Sequence, residues 1–356
     1  MAKGETMLTE RGSEAVTRPL HPSAALYAAE RALPPLPPCV HYAGSERHLQ
    51  KALGLQRELG PVFDVACDCE DGAPVGGERA HAKAMAALIA GPDNAFGRVG
   101  ARLHDLTHPA WRSELDILVG EAGARLAFLT LPKANTAADV ERFLHAVREE
   151  ALRAGVHRTL PVSVMIETPG AVHDAWAIAA LPGVVSLDFG TLDFVSAHHG
   201  AIPDTAMQSP GQFDHPLVRR AKCEVAAAAL AHAVVPAHGV TLTLDAPEVV
   251  YADAMRARNE FGFLRMWSIH PAQIEPIVRA FQPDAGAVET AAAVLAAAQA
   301  ADWGPIRHDG KLYDRASYRY CWDLLQRAHA AGAALPAAAA AFFGGAQAAV
   351  NAAAPR

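Results

Sequence analysis

Cysteine is scarce in this chain. Five residues in 356, at Cys39, Cys67, Cys69, Cys223 and Cys321, form no CxxC pair and are odd in number, which excludes a disulfide-stapled fold. Reduced thiols and a cytoplasmic setting are therefore expected. Aromatic residues reach only 6%, and 31 lysines and arginines against 38 acids leave a net charge of −7. That balance provides no broad basic surface for a nucleic acid. The opening MAKGETMLTERG mixes charges and lacks the apolar core of a secretory leader, so export is not expected. Residues 330–350 carry no charge and are mostly alanine, broken by Pro336 and Gly344-Gly345. Alanine supplies too little transfer free energy for a membrane span, so the stretch reads as part of a flexible, partly helical tail over 328–356.

What the chain does have is 51% hydrophobic residues, enough for a large core. After a proline-rich arm over residues 1–37 (LPPLPP at 33–38), short β-branched or apolar runs alternate with alanine- and leucine-rich stretches of helical period. Eight such runs can be counted: CVHY at 39, VFDVACDC at 62, RVGARL at 98, LAFLTLP at 126, PVSVMIE at 161, VVSLDFG at 184, VTLTLD at 240 and RMWSIH at 265. Eight β-then-α repeats over residues 38–280 predict an α/β fold, a (β/α)8 TIM barrel. The alternative, an open doubly wound sheet, would want a GxGxxG turn, and the chain has none. Residues 281–327 read as helix, polar turn and helix, too small for an independent domain and suited to a lid or oligomer contact.

Catalytic groups of a parallel barrel gather at the C-terminal ends of its strands. That rule selects Asp68-Cys69-Glu70-Asp71, Arg102 to Asp105, Pro132-Lys133, Glu167-Thr168, Asp193 and His270. Glu70, Asp71, Glu167 and Asp193 around one mouth would repel one another without a cation among them. An all-oxygen set with few carboxylates favours Mg²⁺; zinc would want histidine or thiolate clusters. Lys133 admits two readings, an imine-forming amine or a salt-bridge partner. His198 and His199, being adjacent, cannot face one metal from a helix.

The stretches FDVACDCEDGAP, GARLHDLTHPAW, FLTLPKANTAADV, SVMIETPGAVHDAWAIAALPGV, DFGTLDFVSAHHG and MWSIHPAQIEPI resemble, in order and spacing, the strand-end motifs of the citrate lyase β-subunit and malyl-coenzyme A lyase family of the aldolase/citrate lyase superfamily. The resemblance covers about residues 38 to 325. It implies that Glu167 and Asp193 bind Mg²⁺, that Arg102 holds a substrate oxygen where negative charge develops, and that Glu70 and Asp71 order the arginine and the ion's waters. It further implies that Arg47 and Lys51 meet coenzyme A phosphates, although both also suit an exposed helix face. The segment Asp309-Gly310-Lys311-Leu312-Tyr313-Asp314 resembles the family's C-terminal motif, whose last aspartate serves the active site of a neighbouring subunit. Asp314 is thus the candidate proton carrier in a homo-oligomer, a trimer or hexamer, with a helix N-cap as its other reading.

The implied reaction is a Claisen- or aldol-type cleavage of a 3-hydroxyacyl-coenzyme A, such as malyl- or citramalyl-coenzyme A, through a metal-stabilised enolate. Alternatives are a thioesterase variant, a class II pyruvate aldolase acting on 4-hydroxy-2-keto acids, and a non-catalytic or carrier-protein-dependent lyase subunit. Three departures from the family pattern stand out: the first strand lacks a proline-glycine turn, Leu192 precedes Asp193 where many relatives carry an acid, and residues 200–216 form an insertion.

Overall fold

The computed structural model describes residues 19–27 and 31–344. Its eight parallel strands are β1 (Cys39–Ala43), β2 (Phe63–Asp68), β3 (Val99–Arg102), β4 (Leu129–Leu131), β5 (Val162–Ile166), β6 (Val184–Phe189), β7 (Val235–His238) and β8 (Arg265–Ser268). They pair in chain order and β8 closes on β1, the (β/α)8 barrel expected from the sequence. Strands covered on both faces read as near-continuous apolar runs, which is why seven of the eight can be located from the sequence.

Alternation along each strand decides what reaches the mouth. On β2, Val65 and Cys67 pack outward under the helices, whereas Ala66 joins Val40, Phe128, Met165, Ala237 and Trp267 inside the barrel. Period two then puts Asp64 and Asp68 on the inner face as well, one near each end of the strand. The helices that follow begin with local signals. Ser45 Oγ accepts from His48 N at the start of Glu46–Leu59, and Thr136 with Asp139 forms a capping box ahead of Ala137–Arg153.

The seventh strand lies five residues earlier than VTLTLD suggests. A proline inside VVPAH argues against a strand, yet Pro236 sits opposite Leu187, and its carbonyl accepts from Leu264 N at 3.0 Å. The alternating segment after it is a loop whose polar groups are met by side chains: Gln273 Nε2 donates to Thr241 O at 2.8 Å and Thr243 O at 3.2 Å, and Thr241 Oγ1 donates to Asp253 at 2.7 Å. The helix expected over 171–180 is two short ones, Pro169–His173 and Ala175–Ala180, meeting at Asp174.

Beyond the barrel, residues 281–327 hold one element the sequence reading did not foresee. Between helices Ala285–Ala300 and Arg315–Ala330, strands β9 (Ile306–His308) and β10 (Lys311–Tyr313) form a hairpin. Its turn is Asp309-Gly310, with φ of 45° and 76°, the left-handed pair that Asp-Gly readily supplies. Helices Pro22–Tyr27 and Ala337–Phe343 pack onto this lobe, and Leu26, Leu295, Tyr318, Trp322 and Phe342 form an apolar cluster apart from the barrel core. Parts of the arm and tail are thus built into the lobe; residues 1–18, 28–30 and 345–356 lie outside the described residues. Among the described residues no helix is long and apolar enough to cross a membrane.

The lobe adjoins the N-terminal end of the barrel. Gly332 lies against Val62, just ahead of β2, and Arg31 Nη2 donates to Val184 O at the start of β6. Asp314 stands at the far end of the 16-residue helix Arg315–Ala330, roughly 24 Å from its close at 1.5 Å per residue.

Candidate active site

At the other end, the C-terminal mouth, β2 and β3 bring two charges together by register alone: Asp68 is the direct cross-strand partner of Arg102. The guanidinium donates from Nε to Asp68 Oδ1 at 2.8 Å and from Nη2 to Oδ2 at 2.6 Å, while Nη1 pairs with Glu70 Oε2 at 2.8 Å. Such a two-pronged charged contact fixes the plane of the group as well as its place. Asp68 is held in turn, accepting from Glu70 N at 3.1 Å and Gly72 N at 3.0 Å. The Tyr42 ring lies 5.1 Å from the guanidinium carbon and 5.3 Å from the Trp267 ring, closing the site from below.

Lys133 joins this cluster to the next. Its ammonium contacts Glu70 and sits 3.1 and 3.0 Å from the two carboxylate oxygens of Asp71. Its backbone, in the left-handed region at φ 49°, donates N–H to Glu167 Oε1 at 2.7 Å. Burial works against the charge on Lys133, but the hydrogen bonds and charges of Glu70 and Asp71 outweigh it and hold the amine well above its usual range. An amine so firmly protonated does not suit imine formation, and the salt-bridge reading is the observed one.

Glu70 and Asp71 are therefore neutralised by the protein itself, Glu70 through Arg102 and Lys133, Asp71 through Lys133 alone. Glu167 has no such counter-charge paired to it among the described residues. Its side chain is fully buried, Oε2 has no hydrogen-bond partner among the described residues, and burial followed by the Asp193 charge pushes its carboxyl up to about 8. Asp193 lies in the first turn of helix Thr191–Ser196, directly after β6. Gly190 makes the approach feasible, since a Cβ there would sit 2.3 Å from Glu167 Oε2. Two neighbouring carboxylates, one with an orphaned buried oxygen, fit a hard divalent cation that keeps most of its ligands as water and substrate. A closed cage is absent: no group of three or more His, Cys, Asp or Glu is placed to hold a metal among the described residues.

Arg47 and Lys51 are exposed on helix Glu46–Leu59, four residues apart on one face beyond the end of β1, without an ion-pair partner among the described residues. Asp314 does not join the cluster within one chain. It is an exposed N-cap whose Oδ1 accepts from Ala316 N at 3.1 Å and Ser317 N at 3.3 Å. His270 caps the short turn Pro271–Gln273, and His198 bonds Phe194 O. The insertion after β6 is packed, with Ile202, Ala206 and Phe213 in the core. Sequence reasoning singled out neither Asp68 as the anchor of Arg102 nor Tyr42. Both occupy inward positions at strand ends, so period-two counting from Ala66 or Val40 could have found them.

Residues 65–271 match a family described as HpcH/HpaI aldolase/citrate lyase. A citrate lyase crystal structure from Burkholderia xenovorans LB400 is 50% identical, covers 91% of this chain and 100% of its own, and superposes with a TM-score of 0.78. Protein CitE from Mycobacterium tuberculosis, solved with magnesium, acetoacetate and coenzyme A, is 22% identical with a TM-score of 0.61 over 83% of this chain and 98% of its own, a likeness of fold. The L-malyl-CoA/beta-methylmalyl-CoA lyase of Cereibacter sphaeroides is 29% identical over 245 residues, 65% of this chain and 76% of that protein.

Proposed function

The chain belongs to the HpcH/HpaI aldolase/citrate lyase family, and from that premise we propose that it is a Mg²⁺-dependent carbon–carbon lyase acting on a short 3-hydroxyacyl-coenzyme A such as malyl- or citramalyl-coenzyme A. The observation that carries this reading is Glu167: a buried carboxylate with one oxygen tied to Lys133 N, the other without a partner, and Asp193 beside it. When bound there, a divalent ion would act as a Lewis acid on the oxygens of a 2-oxo- or 2-hydroxy-acid end and offset charge as the bond breaks.

The chain's own residues would do the rest. Cleavage takes a proton from the 3-hydroxyl, turns that carbon into a carbonyl as its bond to C2 breaks, and leaves the electron pair on the thioester fragment, whose oxygen gains negative charge until a proton is delivered to C2. Arg102, fixed by Asp68 and Glu70, is a prepositioned donor for that oxygen, and the low exposure of the three groups keeps the interaction strong. Lys133 keeps Glu70 and Asp71 from adding repulsion. Asp314 would carry the proton from a second copy of the chain, because the lobe that bears it adjoins the opposite end of its own barrel. Arg47 and Lys51, exposed beyond the end of β1, would meet the coenzyme A phosphates.

The test is direct. Purified protein given malyl-coenzyme A is expected to release glyoxylate and acetyl-coenzyme A, to stop with chelator and to resume with Mg²⁺. Cleavage of free 4-hydroxy-2-keto acids with no action on the thioester would replace this reading with the aldolase one. Activity that appears only with an acyl carrier protein would mark a lyase subunit, and hydrolysis without carbon–carbon cleavage a thioesterase.

A further inference from the structure

The N-terminal mouth of the barrel is charged too, and the proposed reaction does not use it. A cavity of about 470 Å³ opens there, bounded by β2, β5, β6, β8 and the arm before β1. Four arginines line it, Arg98, Arg125, Arg158 and Arg265, and the one carboxylate among the lining residues is Asp64. Arg265 is 2% exposed; its Nη2 donates to Asp64 Oδ2 at 2.7 Å and Cys39 O at 3.3 Å, and its Nε has no partner among the described residues. Arg98 shares the same acid through Nη1 at 3.3 Å. Arg158 Nη2 donates to Gly123 O at 2.9 Å and to Leu126 O, and Arg125 Nη2 donates to Asn94 O.

Those carbonyl bonds give Arg125 and Arg158 a structural use after helix Trp111–Ala122, where cations suit a helix C-terminus. They leave most of each fork unspent, since a guanidinium has five N–H donors. Nor do they account for three positive charges in excess around one cavity, or for a buried Nε without an acceptor, a loss of about 1–3 kcal/mol if nothing meets it. Burial also lowers Arg158, and no carboxylate among the described residues opposes it.

We propose that this cavity binds a small organic phosphate, its head held by the arginine forks and its body against Leu36, Phe128 and Val185. The charge excess favours a dianionic head over a single carboxylate, and planar forks match phosphate oxygens in pairs. The volume exceeds what a bare phosphate fills, and the apolar lining suits a carbon skeleton. The site stands at the other end of the barrel from Glu167 and does not depend on the lyase assignment.

Calorimetric titration of the full chain with phenyl phosphate at fixed ionic strength tests this. Benzoate, with the same body and one charge, is expected to bind at least about tenfold more weakly. Arg158→Gln is expected to weaken phenyl phosphate by about tenfold or more. Ala124→Glu, which sets an acid on the exposed rim and leaves the arginines in place, is expected to do the same and serves if the first variant folds poorly. The double variant Arg47→Ala, Lys51→Ala at the opposite mouth is expected to bind as the parent does. No heat of binding at millimolar probe, equal binding by Arg158→Gln and Ala124→Glu, or loss in the double variant would each overturn the proposal, the last by moving the phosphate to the other mouth.

Discussion

Adding one methyl group at Gly190 probes the candidate metal site without touching a charge. Gly190 has φ −92° and ψ 95°, backbone that any residue adopts, so Gly190→Ala introduces no strain in the chain itself. The new Cβ would stand 2.3 Å from Glu167 Oε2 and 2.7 Å from Glu167 Cβ. Carbon and oxygen need about 3.3 Å, so the carboxylate must yield by roughly 1 Å. It cannot swing freely, because Oε1 is tied to Lys133 N at 2.7 Å. A displacement of that size in a reacting assembly costs about a hundredfold in rate, about 2.7 kcal/mol in barrier. Crowding a packed site should cost about 1–3 kcal/mol of stability, short of unfolding the chain. Calorimetric titration with Mg²⁺ or Mn²⁺, alongside turnover and thermal melting, should show weaker metal binding and about a hundredfold lower kcat in a folded protein. A variant that melts lower yet binds metal and turns over like the parent would refute the role given to Glu167 Oε2.

Four further outcomes are expected. Asp68→Asn removes the two-pronged partner of Arg102 and leaves Glu70; the loss of about 1.5–3 kcal/mol should lower kcat tenfold to a hundredfold with little change in KM, and an unchanged kcat would deny Asp68 its positioning role. In metal-free protein the raised Glu167 carboxyl, about 8 folded against an ordinary 4.5, keeps a proton that the unfolded chain has lost. The folded state is therefore favoured at the low end of that window and loses the advantage as pH rises through about 8, so Tm should fall across it; Mg²⁺ should restore more at pH 8 than at pH 5, and Glu167→Gln should abolish both trends. Borohydride with pyruvate should trap no adduct on Lys133, a covalent mass shift being the contrary result. Mixed oligomers of Asp314→Asn and Arg102→Ala chains, each inactive alone, should regain part of the activity when co-refolded; no regain would argue against a proton carrier from a second copy.

Much of the barrel could be read from the sequence because a strand buried on both faces announces itself as an apolar run, and seven of the eight runs coincide with strands. β7 escaped because Pro236 breaks local strand propensity, a penalty the closed sheet overrides, while the more regular VTLTLD finds its hydrogen bonds in Gln273 and Asp253. The hairpin of β9 and β10 was marked by Asp309-Gly310, but strands of three residues carry too little alternation to show. At the mouth, motif order singled out Glu167, Asp193 and Arg102, and the fold brings the charges of Asp193 and Arg102 to bear on Glu167. Which acid neutralises which base was not, because that depends on strand register: Asp68 rather than Asp71 meets Arg102, and Lys133 reaches both Glu70 and Asp71.

Lys133 gives the mouth a single hinge-pin. Its amide steadies one acid and its ammonium quiets two others, from a left-handed backbone that an L-residue adopts only at a cost of about 1–2 kcal/mol. Glycine would ease that conformation and surrender the charge; arginine would keep a charge and change its reach. Neither replacement preserves both duties, so the Glu167 half and the Arg102 half of the mouth cannot drift apart through this position one at a time.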